Sequence, residues 1–278
     1  MSQFYLTLPS NASMNVYPNN TVAQYTTKLA NTVELDGDWE VGLVEIIYTH
    51  TWENVRSREY EVSIKELTNG LCSGWFRAFL PSGYYHSGTE LAEEYGNIAC
   101  IRQSHRIKTD PKFKFNERTN KMSIVVPGDT ELQLSGDGLL EMTGFVPMKD
   151  EENGEVDDYK YVILSNSMQD EQTFTSAHAI DVKCGFYSLY IYCDVLGHMH
   201  VGDTRAPLLR AIGVRGKHGE TVHEIFSKVT YIPLQKKVFD SIEINIMTDT
   251  GKPVPFVGGK SLVTLHFRRS SNPYLLSK

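Results

Sequence analysis

The chain has 278 residues, of which 41% are hydrophobic and 22% charged, and its formal net charge is −7. This composition is that of an ordinary globular protein, long enough to bury a sizeable core. The acidic balance argues against a protein that coats nucleic acid by bulk charge. No apolar run approaches the roughly 20 residues that a helix needs to span a bilayer.

The N-terminus has neither the basic start nor the long apolar stretch of a signal peptide, so we expect synthesis in the cytosol or the nucleus. The cysteines are widely spaced and form no C-x-x-C pair. This spacing favours reduced structural thiols over a disulfide or a metal site. The four cysteines are Cys72, Cys100, Cys184 and Cys193.

The first quarter of the chain predicts strands separated by a polar segment. Residues 4–8 indicate a first strand, and residues 60–64 alternate like a half-exposed one. Residues 39–48 are apolar on both faces, which indicates a strand that is covered on both sides or that crosses between sheets. The polar segment 15–28 cannot make its own core, and it is either a surface loop or an extended arm that orders against a neighbour.

In the second quarter, helix signals join the strand signals, and together they predict a compact α+β insert over residues 75–147. The sequence Ser-Gly-Thr-Glu at 87–90 fits a capping box, and apolar residues then recur at helical spacing as far as Ile98. Residues 113–126 indicate a hairpin, and residues 137–144 indicate a short helix closed by glycine. The next segment, 149–158, carries six acidic residues and predicts a solvated loop.

The last third of the chain predicts antiparallel sheet. Ile242, Ile244 and Ile246 alternate with polar or less buried residues, which is the period-two pattern of a strand with one face in a core. Aromatic and branched residues dominate the other runs. The five predicted strand regions are 186–194, 207–214, 226–234, 239–247 and 261–267.

One loop carries a candidate metal site. His198 and His200 have the i, i+2 spacing that presents two ligands on one strand face, as in cupins, and Asp203 follows closely. The cupin pattern requires a carboxylate where Thr204 stands, and flanking glycines favour a loop. We therefore predict ordinary loop histidines, and we keep a cupin-like metal enzyme as an alternative class.

No motif predicts catalysis. The sequence contains no G-x-S-x-G, and paired carboxylates occur only in the acidic segment 149–158, where nothing apolar would raise a pKa. The stretch 257–261 is similar to the end of a phosphate-binding loop, but Val254 replaces a required glycine and a strand follows. We predict no catalytic, cofactor-binding or metal-binding residues, no cofactor, and a structural or binding role.

Several segments, taken together in their order along the chain, resemble the minor capsid (penton) protein of Polinton/Maverick elements, which are virus-like DNA transposons. The resemblance covers nearly the whole chain, and no segment is diagnostic alone. The segments are FYLTLPSN (4–11), YPNNT (17–21), WEVGLVEI (39–46), LPSGYY (80–85), VGDTRAPLLR (201–210), YIPL (231–234) and FDSIEINI (239–246).

This resemblance implies a mainly β fold, a single jelly-roll antiparallel sandwich with a small α+β insertion. Residues 1–74 would then supply the N-terminal strands and arm, 75–147 the insertion, and 148–278 the remaining strands. It also implies a non-enzymatic protein of the virion, synthesised in the host cytoplasm and assembled there or in the nucleus. Five copies would form a vertex beside double-jelly-roll major capsid subunits, without direct contact to nucleic acid or membrane.

We expect one subunit contact at the loop 198–205, which combines charge, glycine freedom and histidine. Its predicted interface residues are His198, His200, Asp203 and Arg205. A second contact is expected from the arm 11–28, packed on another part of the assembly. The alternative function is a jelly-roll carbohydrate- or receptor-binding module whose tyrosine-rich loops, for example at Tyr84 and Tyr85, line a sugar site.

Overall fold

A computed structural model describes residues 2–56, 61–68, 71–72, 75–97, 110–146, 161–183 and 186–270. The chain divides into two compact units, which we call unit 1 (Met1–Trp52 with Phe186–Lys278) and unit 2 (Glu53–Gly185). The predicted acidic loop 149–158, Cys100 and Cys184 lie outside the described residues. No helix in the described ranges is long and apolar enough to cross a membrane.

The secondary structure is numbered in chain order. Unit 1 begins with β1 (Gln3–Pro9), β2 (Gln24–Glu34) and β3 (Trp39–Thr49). Unit 2 contains β4 (Glu61–Thr68), β5 (Leu71–Cys72), β6 (Phe76–Phe79), α1 (Gly88–Asn97), β7 (Lys112–Asn116), β8 (Lys121–Val126), β9 (Thr130–Ser135), α2 (Asp137–Thr143), β10 (Tyr161–Asn166) and β11 (Gln172–Thr175). Unit 1 resumes with β12 (Ser188–Cys193), β13 (Met199–Val201), β14 (Thr204–Ala206), β15 (Leu208–Gly213), β16 (Thr221–Ile225), β17 (Ile232–Pro233), β18 (Val238–Thr248) and β19 (Ser261–Arg269).

Unit 1 is a jelly roll. Its first sheet has the order β1-β19-β3-β16, with β17 also paired to β3, and its second sheet has the order β15-β12-β18-β2. The outermost strands in the chain pair first with last, then second with second-last, and so inward: β1 with β19, β2 with β18, β3 with β16, and β12 with β15. A long antiparallel ribbon folded over into two sheets gives this order. The predicted fold class, a mainly β jelly-roll sandwich, is confirmed.

The core of unit 1 is built from alternate residues of both sheets. Ile242, Ile244 and Ile246 of β18 are fully buried, as their period-two spacing predicts. Strand β3 is interior to the first sheet, and at Gly42 its outer face is also covered, because a Cβ there would meet Val229 Cγ1 at 2.4 Å. The apolar residues on both faces of β3 therefore reflect cover on both sides.

Unit 2 has a core of its own. Its sheets have the orders β10-β9-β4-β5, with β6 paired to β4, and β11-β8-β7. At the start of α1, Ser87 Oγ accepts from the amide of Glu90 at 3.1 Å, as the predicted capping box requires. Glu90 Oε2 accepts at 2.8 Å from the amide of His86, one residue before the cap residue Ser87. Helix α2 ends at Gly144 in the left-handed conformation, with φ of 75°, as the sequence predicts.

The compact units divide the chain at positions other than the predicted domain limits. Residues 75–147 lie within unit 2, which also contains residues 53–74 and 148–185. Strand β4, expected among the sandwich strands of 1–74, instead pairs with β5, β6 and β9. An alternating strand fits either sheet equally well, so its pattern does not reveal its partners. The assignment of roles to the three predicted segments stays a prediction.

Candidate functional site

The four residues predicted at a subunit contact lie together on one exposed hairpin of unit 1. Strands β13 and β14 pair in a register that sets His200 opposite Arg205, and Arg205 Nη2 donates to the carbonyl of His198 at 3.3 Å. Asp203 occupies the turn. All four side chains are exposed. The structure therefore brings these residues onto one small surface, while their role in a contact stays a prediction.

The segment was expected to be a loop, and it is a short antiparallel ladder instead. Gly202 supplies a φ of 60° at the first turn position, where an L-residue with a side chain would be strained. Thr204 Oγ1 then donates to the carbonyl of Val201 at 3.0 Å and closes the turn. Of the two glycines that favour a loop, Gly202 is a turn residue of the hairpin and Gly197 lies two residues before β13.

This hairpin offers surface chemistry rather than an enclosed site. An open depression of about 440 Å³ is lined by His198, Arg205 and Gln235, and Met199 beside it is 39% exposed. Histidine, arginine and an apolar thioether together suit a contact with another protein surface. Within residues 2–56, 61–68, 71–72, 75–97, 110–146, 161–183 and 186–270, no group of three or more His, Cys, Asp or Glu side chains could hold a metal ion.

A second cluster of polar and aromatic side chains lies on the outer face of the first sheet. Tyr5 stacks on His266 with ring centroids 4.3 Å apart, and Tyr231 Oη lies 2.7 Å from His266 Nδ1. The guanidinium of Arg268 lies 3.4 Å from the Tyr231 ring centroid, and its Nε donates to Glu40 Oε1 at 2.6 Å. The cluster thus joins β1, β3, β19 and the segment before β17.

His266 is the buried member of this cluster. It is 7% exposed, and its Nε2 has no hydrogen-bond partner among the described residues. Burial, and secondarily the positive charge of Arg268, lower the pKa of His266 below its ordinary value. This cluster was not predicted from the sequence. Alternation along β19 could have placed His266 outward, but not the distant Tyr231 above it.

The predicted arm is a folded connection for its first part and a strand for the rest. Asn20 accepts from the amide of Thr26 at 2.9 Å and donates to the carbonyl of Thr26 at 2.9 Å. Ser13 Oγ accepts from the amide of Lys28 at 2.9 Å. Residues from Gln24 onward belong to β2. The surface-loop alternative is therefore observed for residues 15–23, and the side chains of Asn20 and Ser13 hydrogen-bond to backbone groups along the outer edge of β2. The contact of segment 11–28 with another part of the assembly stays a prediction.

Three other predictions from the sequence concern the residues Ser261, Tyr85 and Cys193. Ser261 begins strand β19, so no helix follows the phosphate-loop-like stretch. Tyr85 is buried, with its hydroxyl donating to the carbonyl of Pro81, and cannot line a sugar site. Cys193 is a free, buried thiol, and burial raises its pKa to about 12, which makes it chemically inert.

Comparison with known proteins finds similarity at the level of the fold. No protein-family model matches the chain, and no curated protein matches it. The structure is similar to that of the mavirus penton protein, with a TM-score of 0.50 and 12% sequence identity over 96% of this chain and 99% of that one. A Sputnik virophage structure aligns over 98% of this chain and 99% of that chain, with a TM-score of 0.43 and 10% identity. This chain therefore shares the fold of the mavirus penton protein along nearly its whole length.

Proposed function

We propose that this chain is a minor capsid protein of the penton type, which forms pentameric vertices of an icosahedral virus-like particle. The observation that carries the proposal is the fold shared with the mavirus penton protein over 96% of this chain and 99% of that one. The match covers the jelly-roll sandwich together with the unit inserted between β3 and β12, and not the jelly roll alone. The Polinton/Maverick resemblance in the sequence supports the same kind of particle.

In this role the chain works by fitting against other proteins rather than by chemistry. A five-membered ring needs two different patches on each copy, because its contacts are heterologous. The hairpin with His198, His200, Asp203 and Arg205 supplies one patch. Double-jelly-roll major capsid subunits are the proposed neighbours of the ring. The protein acts in the virion after synthesis in the host cytoplasm and assembly there or in the nucleus, and it is not an enzyme.

Light scattering on the purified chain tests the ring. The expected mass is five times the 31.5 kDa mass of one chain, or a multiple of that ring. Asp203→Ala or Arg205→Ala should shift the mass toward the single chain at equal concentration, because each substitution removes a charged group from the proposed patch. Circular dichroism of both variants should match that of the unsubstituted protein.

Lys260→Ala is the matched control, since Lys260 is an exposed charged residue of unit 1 outside the hairpin. It should leave the mass of the ring unchanged. A purified chain that stays monomeric at every concentration argues against self-assembled vertices. Rings unaffected by either hairpin substitution would show that the contact lies elsewhere on the molecule.

A further inference from the structure

Strand β1 is an open sheet edge. Among the residues that the structure describes, it pairs only with β19. The register is fixed at its ends by the amide of Ser10, which donates to the carbonyl of Ser261 at 2.8 Å, and by that of Arg269, which donates to the carbonyl of Ser2 at 3.2 Å. In an antiparallel pair, backbone groups of alternate residues face the partner and the others face away. The even-numbered residues of β1 therefore bond to β19. The N–H and C=O groups of Gln3, Tyr5 and Thr7 point to the free edge.

The other three edges of the unit 1 sandwich are covered or charged. At the edge of β2, the side chains of Asn20 and Ser13 accept hydrogen bonds from backbone amides. Arg210 of β15 lies 3.9 Å from the Phe226 ring centroid and donates to the carbonyl of Lys228, so a neighbouring segment lies against that strand. Strand β16 is short and carries Glu224. Proteins protect edges by such devices, because a regular uncharged edge accepts another strand.

Strand β1 has none of these devices before its last residue, Pro9. Its sequence, QFYLTLP, contains no charge, and its register with β19 has no bulge. Phe4 and Leu6 pack on the core but are only partly buried, so some apolar surface stays exposed at this edge. Tyr5, on the opposite face, is 58% exposed. An added strand would have to be uncharged, with apolar side chains on the Phe4 side.

We infer that the occupant of this edge is β1 of a second copy, paired antiparallel about a twofold axis at Tyr5. In that register Gln3 lies opposite Thr7 of the second copy, Tyr5 opposite Tyr5, and Phe4 opposite Leu6. The free backbone groups then form about six hydrogen bonds. Polar residues meet polar residues on one face, and apolar residues meet apolar residues on the other. No like charges meet, so the strand is complementary to itself.

A twofold contact is isologous and closes with two copies, so it cannot build a ring. It joins two copies that do not share a ring, and it closes an edge that would otherwise invite aggregation. Its signature is a doubling of mass with concentration, from ring to paired rings or from monomer to dimer. Doubling is independent of ring formation, and the two ideas can therefore fail separately.

Analytical ultracentrifugation of the full chain over increasing concentration tests the pairing. Tyr5→Lys places two ammonium groups opposite each other and removes an aromatic pair, so it should raise the dissociation constant for doubling at least about tenfold. Thr7→Pro removes an N–H that faces only the free edge and should act in the same direction. Ile225→Lys is the control, since Ile225 is 65% exposed on another edge strand of the same sheet.

Amide hydrogen exchange tests the pairing of β1 at single residues. At concentrations where the mass has doubled, the amides of Gln3, Tyr5 and Thr7 should be protected, and Tyr5→Lys should release them. Those of Phe4 and Leu6 should stay protected in the variant, which shows that β1 is still folded. No doubling, equal doubling in Tyr5→Lys, or fast exchange at Gln3, Tyr5 and Thr7 in the doubled species would each overturn the inference.

Discussion

Gly42 shows how one residue fixes the outer face of the first sheet. A Cβ added there would lie 2.4 Å from Val229 Cγ1 and 2.7 Å from the carbonyl oxygen of Thr230. The second contact is with backbone and cannot be relieved by turning a side chain. We expect Gly42→Ala to lower the free energy of unfolding by about 2 kcal/mol or more, measured by urea denaturation.

Gly213 provides the comparison within the same unit. It ends β15 without a positive φ, and a Cβ there meets nothing within 4 Å. Gly213→Ala should therefore be neutral or stabilising by up to about 1 kcal/mol, because it restricts the unfolded chain. Equal losses in Gly42→Ala and Gly213→Ala would contradict the close packing of residues 229–230 on β3.

His266 should make the protein sensitive to acid. Its pKa is lowered in the folded chain by burial and by Arg268, from an ordinary value of 6.5. Above that value both states are neutral and the group contributes no pH dependence. As the pH falls below 6.5, the unfolded state binds the proton first, so stability is lost until the folded-state pKa is passed.

His266→Gln should flatten the dependence of unfolding free energy on pH as the pH falls below 6.5. The amide of Gln can still accept from Tyr231, so loss of the hydrogen bond does not dominate the result. The pKa of His50 is also lowered, chiefly by burial, so His50 contributes a slope of the same sign that the variant retains. An unchanged slope in the variant would contradict the assignment to His266.

At the scale of elements, Asn20 determines how β2 is finished. Its side chain bonds both backbone groups of Thr26 and also donates to the carbonyl of Ala12 at 3.2 Å. Asn20→Ala would leave these partly buried groups without partners. We expect a loss of about 1–3 kcal/mol in thermal or urea unfolding, and faster exchange of the Thr26 amide.

Asn19→Ala is the neighbouring control, because Asn19 is exposed and its side chain makes no hydrogen bond within the described residues. It should unfold like the unsubstituted protein. If the two variants behave alike, Asn20 is not the residue that closes this edge.

The elements that sequence could predict are those whose signals are local. The alternation of Ile242, Ile244 and Ile246 predicts their strand, and the spacing of Ser87 and Glu90 predicts the start of α1. The hairpin around Gly202 was expected to be a loop because glycines flank it, and its three-residue strands are too short to show a period that would correct this. The cluster at His266 was missed because Tyr231 and Tyr5 reach it from distant parts of the chain.

At the scale of the whole molecule, the resemblance carried the jelly-roll prediction, while local patterns indicated only antiparallel sheet. Partners of a strand such as β4 depend on long-range pairing that alternation does not encode. For this reason the extent of unit 2 was not predictable from the sequence. The high tyrosine content, which suggested an exposed binding surface, is partly explained by two cores in place of one, with Tyr25 in the first and Tyr95 in the second.

Unit 1 should survive removal of unit 2. The rings of Trp52 and Phe186 lie 5.4 Å apart at their centroids, so a short Gly-Ser linker can join the chain across residues 53–185. Because all the core residues of unit 1 come from its own two segments, we expect the shortened chain to unfold cooperatively with a β-sheet circular dichroism spectrum. A shortened chain without a cooperative transition would show that unit 1 depends on unit 2.

Electron microscopy of the purified protein tests the central claim most directly. If the chain is a vertex protein, class averages of its assemblies should show rings with fivefold symmetry, and Asp203→Ala or Arg205→Ala should reduce their number. Assemblies of another symmetry, or a protein that remains a single chain at high concentration, would contradict the account.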